Sequence, residues 1–418
     1  MMDWNFAQAD TQELTHGLCY YPARMVPQIA ARLLDTYWKE SGLILDPFAG
    51  SGTTILESLL RKHRVVGIDV NPVAIYLARA KCTLLERPID ILNLWECVNA
   101  RSKTVNLEAD PIYLQAKRNI DYWYDRPVAE RLLTLRQGIL RYLETTGYTS
   151  QSWVLWVTLM ATIYACSRGI QDGSSFHTRK RPNNQQDPFH TFDRKLKENV
   201  EKMSQLETTF GQLNFHPHEG TLRQILQGEP TTYFNLTQGN ALNILQDIPE
   251  ATINGVLTSP PYGDEHSTVN YTRYTKHAAY WLGVVPADVK KSSGETLSSR
   301  KQSSLPSGIP ATLAVLEKIK QINETDYQKV IHFLSEFYLW LEQCQRIIIP
   351  GGICAIIIAN RRVRQVEIPM DVVTAELASK VRLKQESVFY RTFPKKVVAW
   401  KTISGSSMDK ENIVILRK

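Results

Sequence analysis

Residues 43–54 read "LILDPFAGSGTT", and how that stretch divides decides the fold. The run "LILD" suits a buried strand that ends in an acid. Pro47 then stops any sheet ladder, and Gly50 and Gly52 allow a tight turn that side chains would resist. A helix follows over roughly 53–62. Beyond it, "RVVGIDV" (64–70) is a second strand and "NPVAIYLARAKC" (71–82) a second helix, with Asn71 as its cap and Pro72 in its first turn. Ahead of all this, "MVPQIAARLLDTY" (25–37) carries apolar residues at helical spacing. Strand, helix, strand, helix in this rhythm opens a parallel α/β sheet.

From about 85 to 235 the rhythm is lost. "LWECVNA", "YLQAKRNIDYWYD", "AERLLTLRQGILRYLE" and "WVLWVTLMATIYACS" read as helices, and "DGSSFHTRKRPNNQQDPFHTFDRKLKEN" (172–199) reads as a basic polar excursion before another helical stretch. The α/β pattern returns with "TTYFNLT", "ALNIL" and "NGVLTSP". A long helix over 326–348 then meets the turn and strand "PGGICAIIIAN". A helix near 369–379 and two strands near 383–390 and 412–416 follow, as an antiparallel edge. The expected division is 1–84 and 236–418 as two parts of one α/β domain, with 85–235 as a largely helical insertion and a mobile basic loop over about 284–312.

The 418 residues are 43% hydrophobic and 22% charged, ordinary for a folded soluble protein, and the net charge of +7 suits a polyanionic partner. Six cysteines lie far apart with no C-x-x-C pair, so neither a metal site nor a disulfide framework is expected. No cationic leader followed by an apolar stretch opens the sequence, and no apolar run reaches membrane-spanning length, so a cytoplasmic location is expected.

Two stretches carry chemistry. At the glycine turn, bare backbone and the free N–H groups of a helix start favour an electron-rich ligand. No lysine follows Gly52, so this is not a phosphate loop, and no glycine completes the dinucleotide fingerprint. The next strand ends in Asp69, placed to accept two ribose hydroxyls, so the turn wants a nucleoside whose attached group is not a pyrophosphate. The second stretch is "TSPPYG" (258–263), where a buried strand runs into Pro260 and Pro261. Neither proline can donate to the sheet, so Ser259 and Tyr262 stand on a stiff tip. A plain strand-to-loop turn is the competing reading of those six residues.

"DPFAGSGTT", "GIDVNP" and "TSPPYG", in that order, resemble the motifs of the S-adenosylmethionine-dependent DNA methyltransferases that modify exocyclic amino groups of cytosine (N4) or adenine (N6). "THGLCYYPARMVPQI" (15–29) resembles the family's cofactor-side motif, and its place ahead of the glycine turn matches the amino-terminal cofactor order. The resemblance implies a Rossmann-like methyltransferase fold with S-adenosyl-L-methionine as cofactor and no metal. Asp46, Phe48, Ala49, Gly50, Gly52 and Thr53 would line the methionine part, Asp69 would hold the ribose and Val70 would lie near the adenine. Tyr21, Pro22 and Ala23 would close the methionine side, and Asn240 stands where an aspartate usually meets the adenine amine.

The catalytic set is then Ser259, Pro260, Pro261 and Tyr262. An amine conjugated to a ring is a poor nucleophile, and acceptors aimed at its N–H groups stabilise the charge that develops on attack. The Ser259 oxygen and Pro260 carbonyl are such acceptors, and the Tyr262 ring offers a face for an extruded base. A serine in the first position is commoner in relatives acting on cytosine N4, so the expected product is N4-methylcytosine in duplex DNA at a short site. Adenine N6, an RNA base, or a non-catalytic DNA-binding protein of the same fold are the alternatives. A restriction endonuclease is the implied partner protein. Basic stretches at 177–197, 290–304 and 360–365 are candidates for phosphate contact, or plain surface loops.

Overall fold

The computed structural model describes residues 3–22, 24–84, 91–147, 150–172, 175–177, 186–261, 278–283, 304–392 and 410–418. The opening reads as expected: α1 (Pro27–Tyr37), β1 (Leu43–Asp46), α2 (Thr53–Leu60), β2 (Arg64–Asp69) and α3 (Pro72–Cys82). Asn71 caps α3 by accepting from the Val73 amide at 3.0 Å. The helical block follows as α4 (Ile91–Arg101), α5 (Pro111–Trp123), α6 (Arg126–Thr146), α7 (Ser150–Cys166), the short hairpin β3 (Ile170–Asp172) with β4 (Ser175–His177), and α8 (Pro188–Gln212). The sheet resumes with β5 (His218–Glu219), α9 (Leu222–Gln227), β6 (Thr232–Gln238), α10 (Ala241–Ile244) and β7 (Ile253–Thr258). It closes with α11 (Pro310–Ile322), α12 (Glu324–Ile347), β8 (Ile348–Ala359), the hairpin β9 (Arg361–Val363) and β10 (Val366–Ile368), α13 (Met370–Lys380), β11 (Lys384–Thr392) and β12 (Lys410–Arg417).

The main sheet has the order β11-β12-β8-β7-β1-β2-β6-β5. Pairings from β8 through β7, β1, β2 and β6 to β5 are parallel, while β12 runs antiparallel to both β8 and β11. This is the expected mostly parallel sheet with an antiparallel C-terminal edge, with β12 as the inner strand of that edge.

Alternation along the strands assigns side chains to two faces. Leu43, Leu45, Val66, Ile68, Val256, Cys354, Ile356 and Val414 pack with α10 to α13. Ile44, Val65, Leu257, Ile353, Ala355, Ile357 and Ile413 pack with α1, α2, α3 and the end of α8. Helices therefore cover both faces, as a buried parallel sheet requires.

The helical block has its own apolar core, which also takes in Leu18, Cys19 and Tyr21 from the N-terminal segment and Val73, Ala74 and Leu77 from α3. Ala278, Ala279 and Trp281, which lie beyond β7 in sequence, complete it. Arg136 Nε donates to the Trp281 carbonyl at 2.6 Å, and the Tyr124 and Trp281 rings meet edge-on with centroids 5.4 Å apart. So the block is docked on the cofactor-side elements and holds a segment that follows the "TSPPYG" strand tip. The strands β5, β9 and β10 carry too few residues for alternation to announce them. Among the described residues, no helix is long and apolar enough to cross a membrane.

Candidate functional site at the carboxyl ends of β1, β2 and β7

The chain leaves β1 for β2 on one side and later places β7 on the other. That reversal puts a crevice at the carboxyl ends of β1 and β7, where open α/β sheets bind ligands. The turn of residues 47–52 and the tip of residues 259–261 both open there.

The glycine turn is fixed from several directions. The Ala49 amide donates to the Ile68 carbonyl at 2.9 Å and the Gly52 amide to the Ala49 carbonyl at 2.8 Å. Gly50 and Gly52 have φ of +50° and +82°, the left-handed region that glycine enters without strain. Their surroundings differ. A Cβ on Gly52 would meet Ala78 Cβ at 2.7 Å, so the start of α2 presses on α3, while a Cβ on Gly50 would have the Tyr21 ring as its nearest neighbour, at 3.8 Å.

Asp69 organises the rest. Its Oδ2 accepts from the Gly50 amide and its Oδ1 from the Asn71 amide, both at 2.8 Å. Asn71 Nδ2 in turn donates to the Tyr21 hydroxyl at 3.0 Å. Tyr21, Gly50, Asp69 and Asn71 thus form one circuit joining the N-terminal motif, the glycine turn and the end of β2. Each carboxylate oxygen can accept more than one hydrogen bond, and Asp69 is only half-buried, so hydroxyls can still approach it. Val70 is half-buried beside it, and Pro22 is buried behind Tyr21. Asn240 occupies the cap position at the start of α10 just past β6, and the neighbouring Gly239 amide donates to the Asp69 carbonyl at 2.9 Å. The sequence-predicted cofactor residues therefore converge on one edge. Ala23 lies outside the described residues.

β7 is tied to the turn by a bond that sequence reading missed. Thr258 Oγ1 donates to Asp46 Oδ1 at 2.6 Å, and the Phe48 amide donates to the same oxygen at 3.1 Å. Asp46 is 2% exposed. Burial pushes its carboxyl up to about 6, against the pull of the hydrogen bonds from Thr258 and the Phe48 amide. It is thus ionised at neutral pH and serves here as the joint between β1 and β7. Phe48 leans on Trp340 of α12 with centroids 5.6 Å apart, and Ala49 and Thr53 are buried. Beyond Thr258, Ser259 and Pro261 are half-buried and Pro260 is buried. Tyr262 lies outside the described residues, as do 178–185 and 284–303, which hold part of the first basic stretch and nearly all of the second; Arg194, Lys195 and Lys197 of the first stretch pair with Glu198 and Asp193 on α8.

His16 of the N-terminal motif is buried against α2. It is 3% exposed, and its Nε2 pairs with Glu57 Oε1 of α2 at 2.9 Å. Arg61 binds the other Glu57 oxygen at 2.7 Å, so this histidine locks the motif onto α2.

Comparison with known proteins points to the same part of the chain. The N6/N4 methyltransferase family described as "DNA methylase" matches residues 3–80, the stretch holding the whole Tyr21–Gly50–Asp69–Asn71 circuit. Type II methyltransferase M.MvaI of Kocuria varians is 24% identical over 94% of this chain and 87% of its own length. In motif and over most of its length the chain is similar to the S-adenosylmethionine-dependent DNA amino-methyltransferases. Type II methyltransferase M.BsoBI of Geobacillus stearothermophilus is 23% identical over 80% of this chain and 63% of its own length. The crystal structure of a DNA modification methylase from Thermus thermophilus with S-adenosyl-L-methionine is 17% identical over 43% of this chain and 53% of that one, at a TM-score of 0.24, too distant to decide anything.

That likeness carries the coarse activity, methyl transfer from S-adenosylmethionine to an exocyclic amino group in DNA. The crevice of this methyltransferase fits that cofactor on its own observations. The open side of Gly50 leaves room against the Tyr21 ring, and a half-buried carboxylate stands one strand away.

Proposed function

We propose that this methyltransferase modifies the N4 amino group of cytosine at a short site in duplex DNA. The observation that carries the reading is the β1–β7 joint, where Thr258 binds Asp46 and so keeps Ser259 and Pro260 alongside the glycine turn. In this reading, Asp46, Phe48, Ala49, Gly50, Gly52 and Thr53 surround the methionine part of the cofactor, with Tyr21, Pro22 and Ala23 closing that side. Asp69 takes the ribose hydroxyls, and Val70 and Asn240 face the adenine. The bound cofactor supplies an electrophilic methyl group; the protein supplies alignment.

The Ser259 oxygen and the Pro260 carbonyl accept hydrogen bonds from the target amine. That steers its lone pair out of the ring and stabilises the positive charge that grows on nitrogen. Pro261 removes a competing amide donor and stiffens the tip, and Tyr262 gives the extruded base a stacking face. The serine at the first acceptor, commoner in the resembled enzymes that act on cytosine N4, favours the N4 assignment over N6. The helical block is the first candidate for base readout, since it holds Trp281 downstream of the tip. An endonuclease cutting the same unmethylated site is the partner this reading implies.

The test is to incubate the full chain with methyl-labelled cofactor and either duplex DNA or structured RNA, then to map the modified bases. N4-methylcytosine at one short sequence is the expected result, with Ser259→Ala lowering kcat about a hundredfold. N6-methyladenine would replace the base assignment, and label on RNA alone would reject DNA as substrate.

A further inference from the structure

Lys81, next to the last residue of α3, is 1% exposed, deeper than any other lysine among the described residues. Its Nζ donates to Ser51 Oγ, the residue between the two turn glycines, at 3.1 Å. Its carbonyl is held by Thr15 Oγ1 at 2.8 Å, so the backbone that presents the side chain is itself anchored to the N-terminal motif. Among the described residues no carboxylate pairs with its ammonium. The charged and titratable groups around it are Arg24 and Cys19 of the N-terminal segment and Cys82 of α3, and His16, itself bound to Glu57 of α2, also feels its charge. Burial, reinforced by Arg24, holds the amine well below the usual lysine range.

A lysine so placed is costly. Replacing an unpaired buried charge by an apolar chain of similar length is neutral or stabilising as a rule, so stability alone does not explain it. The polar atom it reaches among the described residues belongs to the cofactor turn. Whether charged or neutral, the amine can donate to Ser51, and that bond fixes the peptide units on either side of Ser51, which belong to Gly50 and Gly52.

We propose that Lys81 is a positioning residue for the cofactor turn, acting through Ser51 to hold the Gly50–Gly52 backbone in the shape that receives the methionine end of S-adenosylmethionine. The proposal rests on the assignment of that turn to the cofactor. Lys81 touches neither substrate nor cofactor, so its effect falls on cofactor affinity and not on the transfer step.

Lys81→Met keeps the length and removes the donor. Calorimetry with S-adenosylmethionine on the full chain should show the dissociation constant rising about tenfold, the scale of one lost hydrogen bond, with kcat at saturating cofactor within about twofold of wild type. The melting temperature should hold or rise. Ser51→Ala, which leaves the lysine in place, should weaken binding similarly, and the double variant should be no worse than either single one. A Lys81→Met protein that binds the cofactor as wild type does, or single losses that multiply in the double variant, would overturn the proposal. Should Lys81→Met fail to fold, Ser51→Ala alone decides, since unchanged affinity there breaks the link. Wild-type protein that binds no cofactor would instead overturn the assignment of the site, and this inference with it.

Discussion

Around the glycine turn, the contacts that set the backbone are hydrogen bonds between named polar atoms, as in the circuit of Tyr21, Gly50, Asp69 and Asn71. In the helical block they are overwhelmingly apolar, with Leu132, Leu135, Leu155, Leu159, Met160 and Phe192 all sealed from solvent. A polar circuit has one geometry, and a missing atom changes the ligand surface at once. An apolar core has many near-equivalent packings, and a missing methyl lowers stability while leaving the surface much as it was. The two regions share α3 and the segment around Tyr21, and the end of α8 packs on the sheet, so damage in one reaches the other through those elements.

Gly52→Ala should break that separation hardest. The new methyl must adopt a left-handed φ and also meets Ala78 Cβ at 2.7 Å, which sits on a packed helix and cannot swing aside. Strain and overpacking together should cost about 3–5 kcal/mol in denaturant melts, and cofactor binding should be lost. A variant as stable as wild type would mean that α2 and α3 are not wedged at this point. Leu159→Ala, in the middle of α7 and fully buried, should cost about 3 kcal/mol by the same measurement. Its cofactor dissociation constant, measured well below the melting temperature, should stay within about twofold of wild type. A constant weaker by about tenfold would show that the block and the turn are one cooperative unit.

That contrast also explains what could be read from the sequence. The strands, the glycine turn and the antiparallel edge are punctuated by glycine, proline and alternating apolar residues, so fold and cofactor motif were legible together. The Thr258–Asp46 joint was not, because which strand lies beside β1 is a matter of tertiary topology and threonine at a strand end is ordinary. Lys81 reads as a polar position on a helix that shows little amphipathic contrast, and only the packing of the N-terminal segment over it reveals its burial. Helical periodicity foretold α6 and α7, while the first half of α8 read as part of the polar excursion over 172–199. It could not foretell that Leu18, Cys19 and Trp281 complete their core, since those residues lie in segments too short to show a period.

The Asp46 joint gives a smaller effect with a definite sign. Its carboxyl titrates near 6 in the fold, against an ordinary 3.8. Between those values the folded protein keeps a proton that the unfolded chain has released, so the free energy of unfolding falls as pH rises through that window. The loss through this one group should be about 2–3 kcal/mol, complete above a pH of about 6. Melts of wild type and Asp46→Asn from acid to neutral pH isolate it, because the asparagine removes that slope and leaves the others. A difference between the two proteins that does not vary with pH would mean that Asp46 ionises as freely in the fold as outside it.

Gly50→Ala is the mildest and most discriminating change, since it shares the backbone strain of Gly52 without the collision. The added methyl would stand 3.8 Å from the Tyr21 ring, an ordinary contact, so only the positive φ is penalised, by about 1 kcal/mol. If the open side of Gly50 is where the methionine end of the cofactor lies, the methyl occupies that space. Affinity should then fall far more than stability, by about tenfold or more against a loss near 1 kcal/mol. Equal losses in both would mean that the turn needs this glycine only to form, and that the ligand approaches from another side.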